Sequence, residues 1–174
     1  MIGPPMPPAR KPHPPRYITP EGFRRIAEEH ERIWKVQRPR IVAEVEAAAA
    51  LGDRSENAEY LYGKKKLREL DRRLRELSLR MDHLTVLDPR PHPSRRAYFG
   101  AWVTVEDEEG EERRYRLVGP DEFDLGRGWV SVEAPLGRAL LGKRKGDVAV
   151  VQRPAGAAEI TVLAVSWSPG GGGR

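Results

Sequence analysis

A chain of 174 residues with 39% hydrophobic content can build one medium domain or two small ones, and a large enzyme core is excluded. The net charge of +5 is compatible with nucleic acid or an acidic protein surface, but 26 acidic residues make the balance mixed, so patterning has to decide. With no cysteine, no bilayer-length apolar run and no signal-peptide core, disulfides, thiolate metal sites and a Cys nucleophile drop out, and a soluble cytoplasmic protein is expected.

Residues 1–16 are dominated by proline with Arg10, Lys11 and Arg16 among them, a composition that favours solvated polyproline II. They read as a disordered tail or, alternatively, a Pro-rich ligand. Thr19-Pro20 opens the first helix, with Thr19 as N-cap and Pro20 at the first helical position. Phe23, Ile26, His30, Ile33 and Gln37 then recur at the three-four spacing of a coiled-coil seam. Beyond Pro39 the apolar set moves to Ile41, Val45 and Ala48, one residue out of register, which predicts a kink at Pro39. Ala47 to Ala50 make the far end thin, and Gly52 supplies a residue suited to positive φ where the helix stops.

After a tip at residues 51–57, Leu67, Leu70, Leu74, Leu77, Met81 and Leu84 give a second seam, apolar at every position. Residues 17–89 are therefore expected to form an antiparallel two-helix hairpin, a protruding rod about 45 Å long at 1.5 Å per residue. Pro89, Pro91 and Pro93 end it, and residues 90–95 read as a linker.

From residue 96 the period changes. Val103 and Val105 alternate with Trp102, Thr104 and Glu106, Glu108-Glu109-Gly110 reads as a hairpin turn, and Tyr115 and Leu117 alternate with Arg114 and Arg116. Strands are also expected at Gly128–Val132, Val148–Val151 and Glu159–Val165, with one short helix from Pro135 to Leu141 closed by Gly142. Residues 96–167 thus form a small α+β domain with a mostly antiparallel sheet, and residues 168–174, with four glycines, a flexible end.

Two constellations could carry chemistry. Asp53 and Glu56, three apart at the mouth of the second helix, read either as a capping box or as an exposed acid pair able to supply part of a shared Mg²⁺ site. Lys64, Lys65, Lys66, Arg68, Arg72, Arg73 and Arg75 outnumber Glu69 and Asp71, and Lys65, Arg68, Arg72 and Arg75 share one outer stripe. That stripe is either a solvated helix face or a cationic track for single-stranded RNA. His13, His30, His83 and His92 have no partners at ligand spacing, and phosphate-loop, G-x-S-x-G and H-E-x-x-H motifs are missing.

The segment GDRSENAEY at a hairpin tip followed by LRELDRRLRELSLRM resembles the Gre transcript-cleavage factors of bacterial RNA polymerase. FGAWVTVEDEEGEERRYRLVGPDE, WVSVEAPLGRALLGK and GDVAVVQRPAG are similar to the family's C-terminal segments, so the resemblance runs from Tyr17 to Val165. The GDRSEN tip and the basic residues after it look like the GreB subfamily more than GreA.

The resemblance implies an N-terminal antiparallel coiled-coil hairpin that enters the polymerase's secondary channel, and an FKBP-like α+β domain that docks at the channel rim. It assigns Asp53 and Glu56, supported by Ser55, to a Mg²⁺ site completed by polymerase beside the nascent RNA 3′ end; Lys64, Lys65, Arg68, Arg72 and Arg75, read from their spacing as a cationic track, are expected to contact that RNA. Such a protein is a monomer and no enzyme itself; it stimulates the polymerase's own cleavage of backtracked RNA. A channel-binding regulator without cleavage is the alternative within the family. A prolyl isomerase or chaperone is the alternative outside it, and would need Trp102, Tyr115, Phe123 and Trp129 to line a pocket. Ala134 and Gly137 depart from the family's SPxARAL segment; a non-capping N-cap and a helical glycine each cost about 1 kcal/mol, which weakens any rim contact made by this helix.

Overall fold

The computed structural model describes residues 16–52 and 57–168. The proline-rich tail through Pro15, the tip residues Asp53, Arg54, Ser55 and Glu56, and the end beyond Ser168 lie outside the described residues.

The hairpin starts as its capping chemistry requires. Thr19 Oγ1 accepts from Gly22 N at 3.0 Å, and Pro20 opens α1 (Pro20–Arg32). A five-residue π-helical segment, Ile33–Gln37, joins α1 to α2 (Arg38–Ala50). The Arg38 amide donates to the Ile33 carbonyl, five residues back, so the segment takes up one extra residue. This is the physical origin of the one-residue slip between the two halves of the first seam. The disturbance expected at Pro39 sits just upstream of it. Proline has no N–H to donate and its ring crowds the carbonyl four residues back, and the wider turn relieves that conflict. Gln37, expected in the seam, is exposed in consequence, whereas Ile33 is buried.

The returning helix α3 (Ala58–His83) buries Leu70, Leu74 and Leu77 against Ile18, Ile26 and Ile33, with Phe23, Ile41, Met81 and Leu84 packed around them. Leu84 is not a helical seam residue: it begins strand β2 (Leu84–Val86), which pairs in parallel with β1 (Arg16–Ile18). Arg16 therefore belongs to the ordered base of the hairpin rather than to the tail. Toward the tip the helices come close through small residues. Ala48 and Gly63 are buried, and a side chain at Gly63 would run into Val45 Cγ2.

The C-terminal unit is a five-stranded sheet ordered β5-β4-β3-β7-β6, from β3 (Trp102–Glu106), β4 (Glu112–Val118), β5 (Trp129–Ser131), β6 (Val148–Arg153) and β7 (Gly156–Ser166). All pairings are antiparallel except β4 with β5. The expected alternation holds, since Val103, Val105 and Leu117 point into a core with Leu140, Val151 and Val162. Gly110, at φ +80°, closes the β3–β4 turn, and Asp107 Oδ1 accepts from the amides of Glu109 and Glu111.

Helix α4 (Pro135–Leu140) covers this core, and Ala134 caps it without a side-chain hydrogen bond, as expected. Gly137 is a different matter. Its Cα faces the β5 end so closely that an added Cβ would collide with the Ser131 carbonyl. The glycine is a condition of the packing, and its propensity cost is offset by letting α4 lie against the sheet.

A short 3₁₀ turn, Pro120–Glu122, ties the two units together. Glu122 is buried; its Oε1 accepts from Thr19 N at 2.9 Å and Gly119 N at 3.0 Å, and its Oε2 from Thr19 Oγ1 at 2.5 Å. Gly22 leaves room for that carboxylate. Asp121 pairs with Arg80 at 3.2 Å and Arg16 at 3.1 Å, and Arg116 pairs with Glu21 at 2.7 Å.

Gly137→Ala separates propensity from packing. Helix propensity alone predicts a gain of about 1 kcal/mol, whereas overpacking against the Ser131 carbonyl predicts a loss of about 1–3 kcal/mol. Urea denaturation is expected to show the loss.

Candidate functional site: the hairpin tip and its basic flank

The acid pair and Ser55 lie outside the described residues, but the two chain ends that present them are well defined. α2 ends at Ala50 with Leu51 as its C-cap, and Gly52 follows at φ +131°, a conformation for which glycine carries no Cβ penalty. On the other side Asn57, in extended conformation, is the N-cap of α3. Its Oδ1 accepts from Tyr60 N at 3.1 Å while its Nδ2 donates to the Ala48 carbonyl at 2.8 Å. One side chain therefore satisfies an orphan donor at the start of α3 and ties it to the Ala48 carbonyl near the end of α2, which also accepts from the Leu51 amide at 3.2 Å. The capping-box reading put the N-cap at Asp53 and its partner at Glu56; the cap is four residues later. The signal was present in the sequence, since asparagine ranks among the best N-caps and Glu59 supplies first-turn acid.

On the helix ends that flank the tip, Leu51, Leu61 and Tyr62 are 78%, 51% and 68% exposed, large apolar side chains that sequence periodicity did not single out. Behind it, Lys64, Lys65, Arg68, Arg72 and Arg75 are all exposed and make no ion pair among the described residues. Two neighbouring cations do not belong to this track. Arg73 donates to Glu29 at 2.7 and 3.1 Å and to Glu76 at 2.9 Å, crossing from α3 to α1, and Lys66 lies 3.8 Å from Glu69. The hydrogen bonds from Arg73 hold the Glu29 carboxyl below its ordinary pKa. His30, placed in the seam by its spacing, is half-buried with its Nε2 3.1 Å from Ser78 Oγ.

The four aromatics required of a prolyl-isomerase pocket do not converge. Tyr115 and Phe123 border a groove of about 830 Å³ beside Pro135 and Ile160. Trp129 is buried and stacked under Arg116 at 4.8 Å, and Trp102 meets Arg114 at 4.8 Å. Both indoles are committed to cation–π contacts. Among the described residues no group of three or more His, Asp or Glu side chains could hold a metal ion, and no helix is long and apolar enough to cross a membrane.

Residues 16–86 match the family model described as transcription elongation factor, N-terminal, and residues 92–167 match that of transcription elongation factor, GreA/GreB, C-term. The chain belongs to the GreA/GreB family. Transcription elongation factor GreB of Yersinia pestis is 48% identical over 153 residues, covering 88% of this chain and 90% of that protein. GreB of Pseudomonas aeruginosa is 51% identical over 152 residues, covering 87% and 90%. The crystal structure of GreA factor homolog 1 (Gfh1) of Thermus thermophilus aligns over 88% of this chain and 99% of its own at 23% identity, with a TM-score of 0.39.

Two outcomes follow for this Gre factor. Asn57→Ala removes both tip hydrogen bonds and is expected to lower stability by about 1 kcal/mol in thermal denaturation, with faster amide exchange in the first turn of α3. Glu29→Gln tests the cross-helix ion pair. Because the Glu29 pKa is depressed on folding, its contribution is present above the unfolded carboxylate value near 4.5 and is lost as pH falls through the folded one. The variant is expected to melt below the wild type at pH 7, by at most about 1 kcal/mol for so exposed a pair. The gap should close as the pH falls below about 4.

Proposed function

We propose that this chain binds bacterial RNA polymerase, inserts its hairpin as a coiled coil into the secondary channel with the FKBP-like C-terminal domain on the rim, and stimulates cleavage of backtracked nascent RNA. The observation that carries this reading is the position of the cap. Asn57 closes the start of α3, so that helix does not need Asp53 or Glu56 as its cap.

Asp53 and Glu56, with Ser55 beside them, would hold Mg²⁺ jointly with polymerase carboxylates, a donor set suited to a hard cation that keeps much of its shell from water and phosphate. When bound, the ion supplies charge stabilisation and an activated water for phosphodiester hydrolysis. The rest falls to this chain's own residues. The Asn57 bridge between Ala48 and Tyr60 sets the separation of the two helix ends on either side of residues 53–56 in the chain. Gly52 turns the chain without a side chain that would widen the tip. Lys64, Lys65, Arg68, Arg72 and Arg75 present cations over about 17 Å of helix, at 1.5 Å per residue, to the phosphates of an RNA 3′ segment. The protein acts in the cytoplasm as a monomer and stimulates the polymerase rather than turning over substrate alone.

The test is a stalled, backtracked elongation complex. Wild-type protein is expected to release short 3′ RNA fragments. Asp53→Ala and Glu56→Ala are each expected to slow release at saturating factor by tenfold or more, each tenfold corresponding to about 1.4 kcal/mol of barrier. Their melting temperatures should stay near wild type, because neither residue caps α3. Wild-type cleavage rates in both variants would leave a channel-binding regulator without cleavage as the correct reading.

A further inference from the structure

The cationic stripe of α3 runs into an apolar groove. Lys65, Arg68, Arg72 and Arg75 recur at three-four spacing, and the next position on the same stripe is Leu79, 60% exposed. Across from it Trp34, 56% exposed, stands in the π-helical segment beside the buried Ile33. Arg75, Leu79 and Trp34 line one groove of about 480 Å³ together with Leu74 and with His30 and Ser78, whose Nε2 and Oγ are 3.1 Å apart. The last cation of the track and an open indole thus share one surface.

That juxtaposition is selective. A bare polyanion uses the cations and has nothing to lay on an indole, whereas an apolar protein segment uses the indole and leaves the cations idle. A single-stranded nucleic acid uses both, because a line of cations follows its phosphates while exposed aromatic rings stack its bases. The local charges favour the same occupant. Asp71, Glu69 and Glu76, the acids interleaved with the stripe, are already matched by Arg38 at 2.8 Å, Lys66 at 3.8 Å and Arg73 at 2.9 Å. Arg38 also lies over the Trp34 ring at 5.8 Å without lining the groove, a cation–π contact that restrains the indole and leaves its groove side open.

We propose that Trp34 is a stacking platform for a base of the RNA that follows the stripe, so that the groove between Trp34 and Leu79 is the far subsite of a single-stranded RNA track. The strand is RNA by the function proposed above, whereas the stacking site stands on the groove itself. From Lys65 to Leu79 is about 21 Å of helix at 1.5 Å per residue. Over that length the cations hold phosphates without fixing their register, and one base against the ring fixes it. Stacking is tolerant of sequence because every base has a π face, which suits a track that accepts any transcript.

The test uses the full-length protein without polymerase. Four indole N–H signals, from Trp34, Trp102, Trp129 and Trp167, are followed by two-dimensional ¹H–¹⁵N NMR at low salt. The probe is a single-stranded oligoadenylate about ten nucleotides long, and a Trp34→Phe spectrum assigns the first signal. The Trp34 signal is expected to move with the oligoadenylate while the other three, which monitor folding, stay in place. Inorganic polyphosphate, or the same strand annealed into a duplex, is expected to leave Trp34 in place, since neither offers an unstacked base. Trp34→Ala is expected to raise the dissociation constant about tenfold with its salt dependence unchanged. Trp34→Phe keeps most of the affinity, and Arg75→Gln is expected to reduce the slope of log K against log salt by about 0.7. A Trp34 signal that ignores the oligoadenylate, a Trp34→Ala variant that binds it like wild type, or an equal response to polyphosphate would overturn the proposal. So would a Trp34 signal that moves on dilution of the protein alone, which would assign the groove to a second copy, or only on addition of polymerase, which would assign it to a protein partner. Each of these outcomes leaves the cleavage reading standing, because the failure of that reading shows in the Asp53→Ala and Glu56→Ala rates instead.

Discussion

A single buried carboxylate holds this molecule in one piece. Glu122 comes from the sheet domain, yet two of the three groups it accepts from belong to Thr19, the residue that caps the rod's first helix. Thr19 in turn gives its hydroxyl oxygen to Gly22. Helix initiation, rod anchoring and domain docking thus share one hydrogen-bond network from which water is excluded. Loss of either partner would leave buried polar groups without partners, at about 1–3 kcal/mol each. Around the network sit two ion pairs, Arg80 with Asp121 and Arg116 with Glu21, each with one largely buried partner that would be left uncompensated if the other were removed.

This arrangement separates the demands made on the rod. Its base is apolar and clamped: Ile18, Ile26, Ile33 and Leu77 are buried where β1, β2 and the 3₁₀ turn converge. Its far half is narrow, with Ala48 and Gly63 at the helix contact and cations along the outer face of α3. Asn57 finishes the rod by tying the start of α3 to the end of α2. The rod thus has a clamped apolar base and a narrower far half with cations along α3.

Much of this was readable from the chain. The leucine repeat of α3, the Thr19-Pro20 start, the Gly110 turn and the Val103/Val105 alternation are local patterns whose period alone specifies them. What escaped reading depends on partners distant in sequence. Three-residue strands such as Arg16–Ile18 are too short to show a period, and β1 exists because β2 lies beside it. Gly137 looked like a defect because the Ser131 carbonyl that requires it comes from another element. Asn57 was hidden by competition: Asp53 and Glu56 satisfied the capping-box spacing first, and only the position of the helix start decides between them.

The π-helical segment Ile33–Gln37 acts as a phase shifter in the rod. Each residue added to an α-helix turns everything beyond it by 100°. Without the wide turn, Ile41, Val45 and Ala48 would face away from α3 and the tip would swing around the rod axis by that angle. A one-residue deletion within Ile33–Gln37 could be absorbed by relaxation to ordinary α-helix, leaving the azimuth of the tip unchanged, whereas the same deletion in α2 has no such reserve. The bearing of the far end of α2 relative to the sheet domain is thus stored in five residues near the middle of the first arm, far from the residues it aims.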